Sequence, residues 1–337
     1  MIVGNPDSFH IGGHLLDGAS DLAVDIDAKV MNVEEADGGP KLLRHLVWKL
    51  GDHRRIGMWH FSKMVREACA SSKPDIMLVT GIAPLTVGTI QHIRQTGIIC
   101  ANWLTDDPWN PKHKSSWFLK ALSEYDVVFT PRRANQEQIM RLGPMAHYVP
   151  FAYSPKHHFQ ETAPTEQQAA LACDVLFYGG ADDDRVPFIE ALQKAGLNVH
   201  LYGGYWKRWP TTRAAARGHA TLQHLRWAVS SAKITLCLVR RANRDGHVMR
   251  TFEAPAMGAC MLAEDTNEHR EIFGDDGVAV AYFTDPDDLV KRARYLLETP
   301  EKRTELSCNA HALITQSHNT YTDRLKQMLE LVKRRGV

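Results

Sequence analysis

An arginine and a glutamate one helical turn apart, Arg250 and Glu253, stand in the stretch Asp-Gly-His-Val-Met-Arg-Thr-Phe-Glu-Ala-Pro-Ala-Met-Gly at residues 245–258. Apolar runs at 234–239 and 260–263 flank it and read as strands, so the stretch is a polar loop that runs into a short helix. Proline is comfortable only near a helix start, and Pro255 therefore places the first turn at Arg250 to Phe252, with Thr251 as the expected N-cap and Gly258 as the stop. The free N–H groups of that turn, with Arg250 beside them, make an anion site whose obvious occupant is phosphate. Glu253 would repel a phosphate set against it, but it can accept hydrogen bonds from sugar hydroxyls. Together the two suit a nucleotide or a nucleotide sugar. A plainer reading also fits, in which Glu253 favours the helix dipole and Arg250 is a solvated side chain.

Three other clusters carry side chains with chemistry in them. Thr105-Asp106-Asp107-Pro108-Trp109 follows an apolar run at 98–103. Its adjacent carboxylates, between Trp103 and Trp109, can bind hydroxyls or position a proton; Asp-Asp-Pro is also an ordinary turn that Asp107 can cap. At 179–185, Gly179 and Gly180 permit close backbone approach to a ligand and Arg185 supplies positive charge, while the acidic triplet Asp182 to Asp184 argues against a simple phosphate cradle. Tyr205 and Trp206 close another strand, where an aromatic stacks on a nucleobase or else packs or faces solvent. Among seventeen histidines no HExxH spacing occurs; His10 and His14 can meet on one helix face as metal ligands, or sit as surface and core histidines. There is no P-loop and no GxGxxG, so a dinucleotide oxidoreductase is poorly supported.

The frame that must position these groups is an alternation of strands and helices. Apolar runs at 1–4, 22–26, 29–33, 75–80, 98–103 and 127–130 alternate with helical segments at 9–19, 41–50, 58–71, 84–96, 117–123 and 132–142, and residues 148–151 close this half. Strands at 173–178, 198–202, 234–239, 260–263 and 277–282, with helices at 185–195, 221–231, 286–298 and 300–316, make the second half. Such spacing implies right-handed crossovers and parallel sheets, with ligands at the carboxyl ends of the strands. The expected domains are 1–153 and 173–316, with a linker at 154–172 and a C-terminal helix in 317–337. That helix, at 321–333, is basic and amphipathic; its charge can touch an anionic membrane or simply solvate one face.

At 337 residues the chain can bury two cores, and 44% hydrophobic with 23% charged residues describes a soluble globular protein. A net charge of +1 gives no case for a nucleic-acid binder. Six cysteines without a CxxC pair read as buried reduced thiols. No run reaches transmembrane length and no signal core opens the chain, so a cytoplasmic location is expected.

Several stretches together resemble the GT-B glycosyltransferases, and more narrowly the CgeB-like (spore maturation protein) glycosyltransferases. They are Asn5-Pro6-Asp7-Ser8-Phe9, Lys73-Pro74-Asp75, Thr105-Asp106-Asp107-Pro108-Trp109-Asn110-Pro111, Tyr125-Asp126-Val127-Val128-Phe129-Thr130, Asp174-Val175-Leu176-Phe177-Tyr178-Gly179-Gly180 and Arg250-Thr251-Phe252-Glu253. The resemblance implies two Rossmann-like domains whose parallel sheets face an interdomain cleft. It implies a carboxyl-terminal domain that binds a nucleotide diphosphate-sugar as co-substrate, with no further cofactor and no metal. Glu253 then holds the ribose hydroxyls, and Asp245, eight positions earlier where retaining members carry glutamate, approaches the donor sugar. His247 and Arg250 neighbour the diphosphate, and Arg240 or Arg241 adds charge. Gly246, Thr251, Gly179, Gly180, Arg185, Tyr205 and Trp206 complete the donor side, and Asn5, Ser8, Thr105 and Trp109 face the acceptor. The expected activity is hexosyl transfer to a hydroxyl of a carbohydrate, a lipid-linked or a protein acceptor, with retention; inversion would need a base, first sought at Asp106 or Asp107. A nucleotide-sugar epimerase and a binding protein without turnover are the rival expectations.

Overall fold

The computed structural model describes residues 1–22 and 26–334. Contacts divide the chain into two units: the first holds Met1–Pro150, Ala242–Arg244 and the C-terminal segment from Tyr321, and the second holds Phe151–Arg241 and Asp245–Thr320.

The first unit is built on six parallel strands: β1 (Ile2–Gly4), β2 (Val30–Asn32), β3 (Ile76–Thr80), β4 (Ile99–Trp103), β5 (Val127–Thr130) and β6 (Met145–Tyr148), in the order β2-β1-β3-β4-β5-β6. The central strands are continuous apolar runs because helices cover both faces of the sheet, and Val79, Cys100 and Val128 are fully buried with Phe61, Ile90 and Phe118 from those helices. The chain goes from β1 to β2 on one side and then crosses to β3 on the other, so strand order reverses between β1 and β3. The strand expected over 22–26 falls largely on residues outside the described ones. The C-terminal helix Tyr321–Lys333 lies against the first helix, Ile11–Asp21, where Tyr321 stacks on His14 with ring centroids 4.6 Å apart and a Cβ on Gly18 would come within 3.1 Å of the Thr322 backbone. Its apolar face, Tyr321, Leu325, Met328 and Val332, is buried there.

The second unit repeats the plan with β7 (Cys173–Tyr178), β8 (Val199–Tyr202), β9 (Ala216–Gly218), β10 (Ala232–Cys237), β11 (Met261–Glu264) and β12 (Ala281–Phe283), all parallel in the order β12-β11-β10-β7-β8-β9. Here order reverses between β7 and β10, and the loops that leave their carboxyl ends are 179–185 and 238–249. In open α/β sheets that crevice is where ligands bind. Three elements were not anticipated: the edge strand β9, the helix Thr165–Leu171 and the helix Asn267–Phe273, whose N-cap is Thr266. No helix among the described residues is long and apolar enough to cross a membrane. Five cysteines are buried and free, and Cys308 is exposed.

Candidate donor site

The end of β7 is shaped by glycines. Gly179 takes φ 144°, and a Cβ there would collide with Nη2 of Arg250; Gly203, at φ 124°, lies so close to the Gly179 carbonyl that it too has no room for a side chain. Arg250 uses the space. Its Nη2 donates to the Tyr178 carbonyl, and its guanidinium carbon sits 4.3 Å from the centre of the Phe177 ring and 4.7 Å from that of Tyr178. The remaining donors, Nε and Nη1, are buried and meet no acceptor.

Arg185 lies at the same strand end, 4% exposed. Its Nη1 donates to Gly180 O at 3.0 Å and Nη2 to Leu238 O at 3.4 Å, while Nε has no hydrogen bond and only a distant ion pair to Asp182 Oδ2 at 3.7 Å. Burial, reinforced by the Arg250 charge, pulls its pKa down to about 10, and Asp182 and Asp245 act in the opposite direction. Arg240 approaches Asp182 Oδ2 at 3.9 Å with its side chain 40% exposed. Two buried guanidiniums with unsatisfied N–H groups are costly without an acceptor, and an anion is the kind of group that would supply one. Beside it the Tyr178 hydroxyl is buried and unpartnered as well.

The helix after the loop runs Arg250–Ala256, with Met249 rather than Thr251 at the N-cap position. Thr251 Oγ1 instead accepts the Val248 N–H at 3.1 Å and donates to His269 Nε2 at 2.9 Å, leaving His269 Nδ1 to donate to Glu264 O at 2.7 Å. Glu253 is 9% exposed, and burial raises its carboxyl to about 7 against the lowering influence of Arg250. His158 Nε2 stands 3.8 Å from Oε1, and His158 Nδ1 accepts the Ser154 N–H. Glu253 is thus a buried carboxyl beside a buried histidine.

Three expected contributors prove to be struts. His247 is fully buried; its Nε2 accepts the Phe151 N–H at 3.1 Å and its Nδ1 donates to Glu268 Oε2 at 2.5 Å, so both nitrogens are committed and neither faces a diphosphate. Trp206 is 1% exposed, edge-on to Phe177, and donates Nε1–H to Gly179 O at 2.8 Å; a base cannot stack on it. Arg241 spends its charge on Glu264, with Nη2 2.6 Å from Oε1. Tyr205, 61% exposed and covered by Arg208 at 4.3 Å, keeps an accessible ring. Gly246 is required because any Cβ would strike Glu268, and its carbonyl accepts Thr266 Oγ1 at 2.5 Å. Glu268, Thr266, His269, His158 and Tyr178 were not foreseen; the Thr266 cap ahead of an amphipathic run was the one available signal.

In the first unit the carboxylates divide. Asp107 is fully buried, with Arg244 Nε at 2.5 Å from Oδ2 and Nη2 at 2.9 Å from Oδ1, and with the Trp109 N–H on Oδ1 at 3.2 Å. A carboxylate held in this fork is no base, which corrects the expectation for Asp107. Asp106 is half-buried and accepts Asn243 Nδ2 at 3.2 Å. The Thr105 carbonyl accepts Arg132 Nη2 at 2.8 Å, and Trp109 is half-buried under Arg244. Asn5 donates to Glu34 at 2.8 Å and accepts the Asp7 N–H, with Ser8 beside it at the carboxyl end of β1. His10 is exposed while His14 is buried against Tyr321, so the two do not form a ligand pair.

Two six-stranded parallel sheets with flanking helices, each reversing at its own switch point, make this a two-domain α/β protein of the GT-B fold. Residues 185–330 match a family described as glycosyl transferase-like. Similar solved structures include sucrose-phosphate synthase from Thermosynechococcus elongatus (13% identity, 96% of this chain and 91% of that one, TM-score 0.64) and Anabaena HepE in complex with UDP-glucose (14%, 99% of both chains, TM-score 0.65). Another is a Listeria monocytogenes protein assigned as a UDP-N-acetylglucosamine 2-epimerase (15%, 99% of this chain and 96% of that one, TM-score 0.59). No curated protein matches the chain.

Proposed function

We propose that the protein is a glycosyltransferase that takes a hexosyl group from a nucleotide diphosphate-sugar and passes it to a hydroxyl of its acceptor, with retention, without metal, and within the CgeB-like group its motifs resemble. The observation that carries this is the buried Arg250 guanidinium with two unpartnered nitrogens, beside Arg185 and at the switch point of the second sheet. A diphosphate accepts those N–H groups, and the same charges stabilise the nucleoside diphosphate as it departs, where negative charge grows in the transition state. Glu253, one turn along, takes the ribose hydroxyls. Asp245, whose charge acts on Arg185, is the carboxylate assigned to the donor sugar in this reading. The glycosyl transferase-like match over 185–330 and the UDP-glucose complex of Anabaena HepE support the reading.

The Listeria relative favours a second reading, epimerisation of the donor without an acceptor. Incubation with a panel of nucleotide sugars and a panel of hydroxyl acceptors separates the two. Transfer yields free nucleoside diphosphate and glycosylated acceptor only when both substrates are present; a new nucleotide sugar formed without acceptor would replace transfer by epimerisation.

A further inference from the structure

The helix Lys41–Leu50 has no buried residue. At about 100° per residue, Leu42, Leu43, Leu46, Val47 and Leu50 share one arc and Lys41, Arg44, His45 and Lys49 the other. The apolar arc is open, with Leu42 76%, Leu50 77%, Leu46 50% and Leu43 47% exposed. A surface helix ordinarily turns its leucines inward. The basic side is exposed as well: Lys41, Arg44 and His45, with Leu42 and Trp48, line an open groove of about 740 Å³ in which Asp37 pairs with Arg55 at 3.1 Å and Arg44 Nη1 donates to Asp37 O at 3.3 Å. Residues 41–55 carry five lysines and arginines against the single acidic Asp52, whose carboxylate is engaged by the Ser116 N–H and hydroxyl at 2.8 and 2.6 Å.

We infer that this helix is an interfacial anchor, which lies on an anionic lipid surface with its leucines among the acyl chains and its cations among the headgroup phosphates. Charge selects this occupant. Two copies of the face would bring two cationic clusters together, which an isologous pair does not neutralise. A neutral apolar partner leaves the cations unused, and a polyanion with no apolar phase leaves the leucines in water. An anionic bilayer satisfies both halves of the pattern.

Co-sedimentation of the full chain with phosphatidylcholine vesicles, with and without phosphatidylserine, tests the inference. Binding to the serine-lipid vesicles is expected to exceed binding to the neutral ones by about tenfold, and to weaken between about 0.1 M and about 0.5 M ionic strength. The exposed double substitution Leu42→Ser with Leu46→Ser should cut binding to anionic vesicles about tenfold with an unchanged melting temperature. Lys41→Gln with Lys49→Gln should remove the preference for anionic lipid through charge alone. No binding, equal binding to both vesicle types, or a dimer in light scattering that the leucine substitutions abolish would each overturn the anchor.

Discussion

Glu253 and Arg250 illustrate what burial does to opposite charges a turn apart. With its carboxyl raised to about 7 from the ordinary 4.5, Glu253 holds its proton in the folded chain over a range in which the unfolded chain has released it. Stability must therefore fall as pH rises from about 4.5 to about 7 and level off above, by on the order of 3 kcal/mol from this group. Urea titrations at the two ends of that window should show the slope in the wild type and its loss in Glu253→Gln; equal slopes would deny Glu253 its buried state. If Glu253 takes ribose hydroxyls as proposed, it does so best in its ionised form, so nucleotide affinity should rise as pH passes through about 7. The types of these two residues and their spacing of one helical turn were legible in the sequence; their burial was not, because it is set by packing, that of Arg250 against Phe177 and Tyr178. His247 and Trp206 have equally suggestive types, but type does not say which way a side chain points: one is closed off by Glu268 and Phe151, the other by Gly179.

At the scale of elements, the crevice is made by backbone that only glycine can follow. Gly179→Ala would strain a φ of 144° and push Arg250 aside, so it should weaken nucleotide binding about tenfold or more while circular dichroism stays native; unaltered binding would mean Arg250 does not need that space. The loop before Arg250 depends on His247. His247→Ala removes its hydrogen bonds to Glu268 and to the Phe151 N–H, and should lower unfolding stability by about 1–3 kcal/mol; a shift confined to catalysis would instead restore His247 to the site. Helices and buried strands could be read from the sequence because apolar periodicity states them directly, as at Tyr321–Lys333 and Pro286–Glu298. The edge strand Ala216–Gly218 and the helix Asn267–Phe273 could not, the one being too short for periodicity and the other marked only by its Thr266 cap.

Over the whole molecule, two sheets of the same kind were legible from alternation alone, since parallel strands buried on both faces must be apolar and separated by crossovers. The strand orders were not, because nothing local in β7 or β10 declares that they are neighbours; that pairing brings Arg185 and Arg250 to one crevice from distant parts of the chain. The most direct test is titration calorimetry of the wild type and Arg250→Ala with a panel of nucleoside diphosphates. One of them should bind the wild type, and the variant should bind it about tenfold or more weakly, since each charge-assisted hydrogen bond contributes about 1.5–3 kcal/mol. A wild type that binds none of them, or a variant that binds equally well, would contradict the proposed donor site.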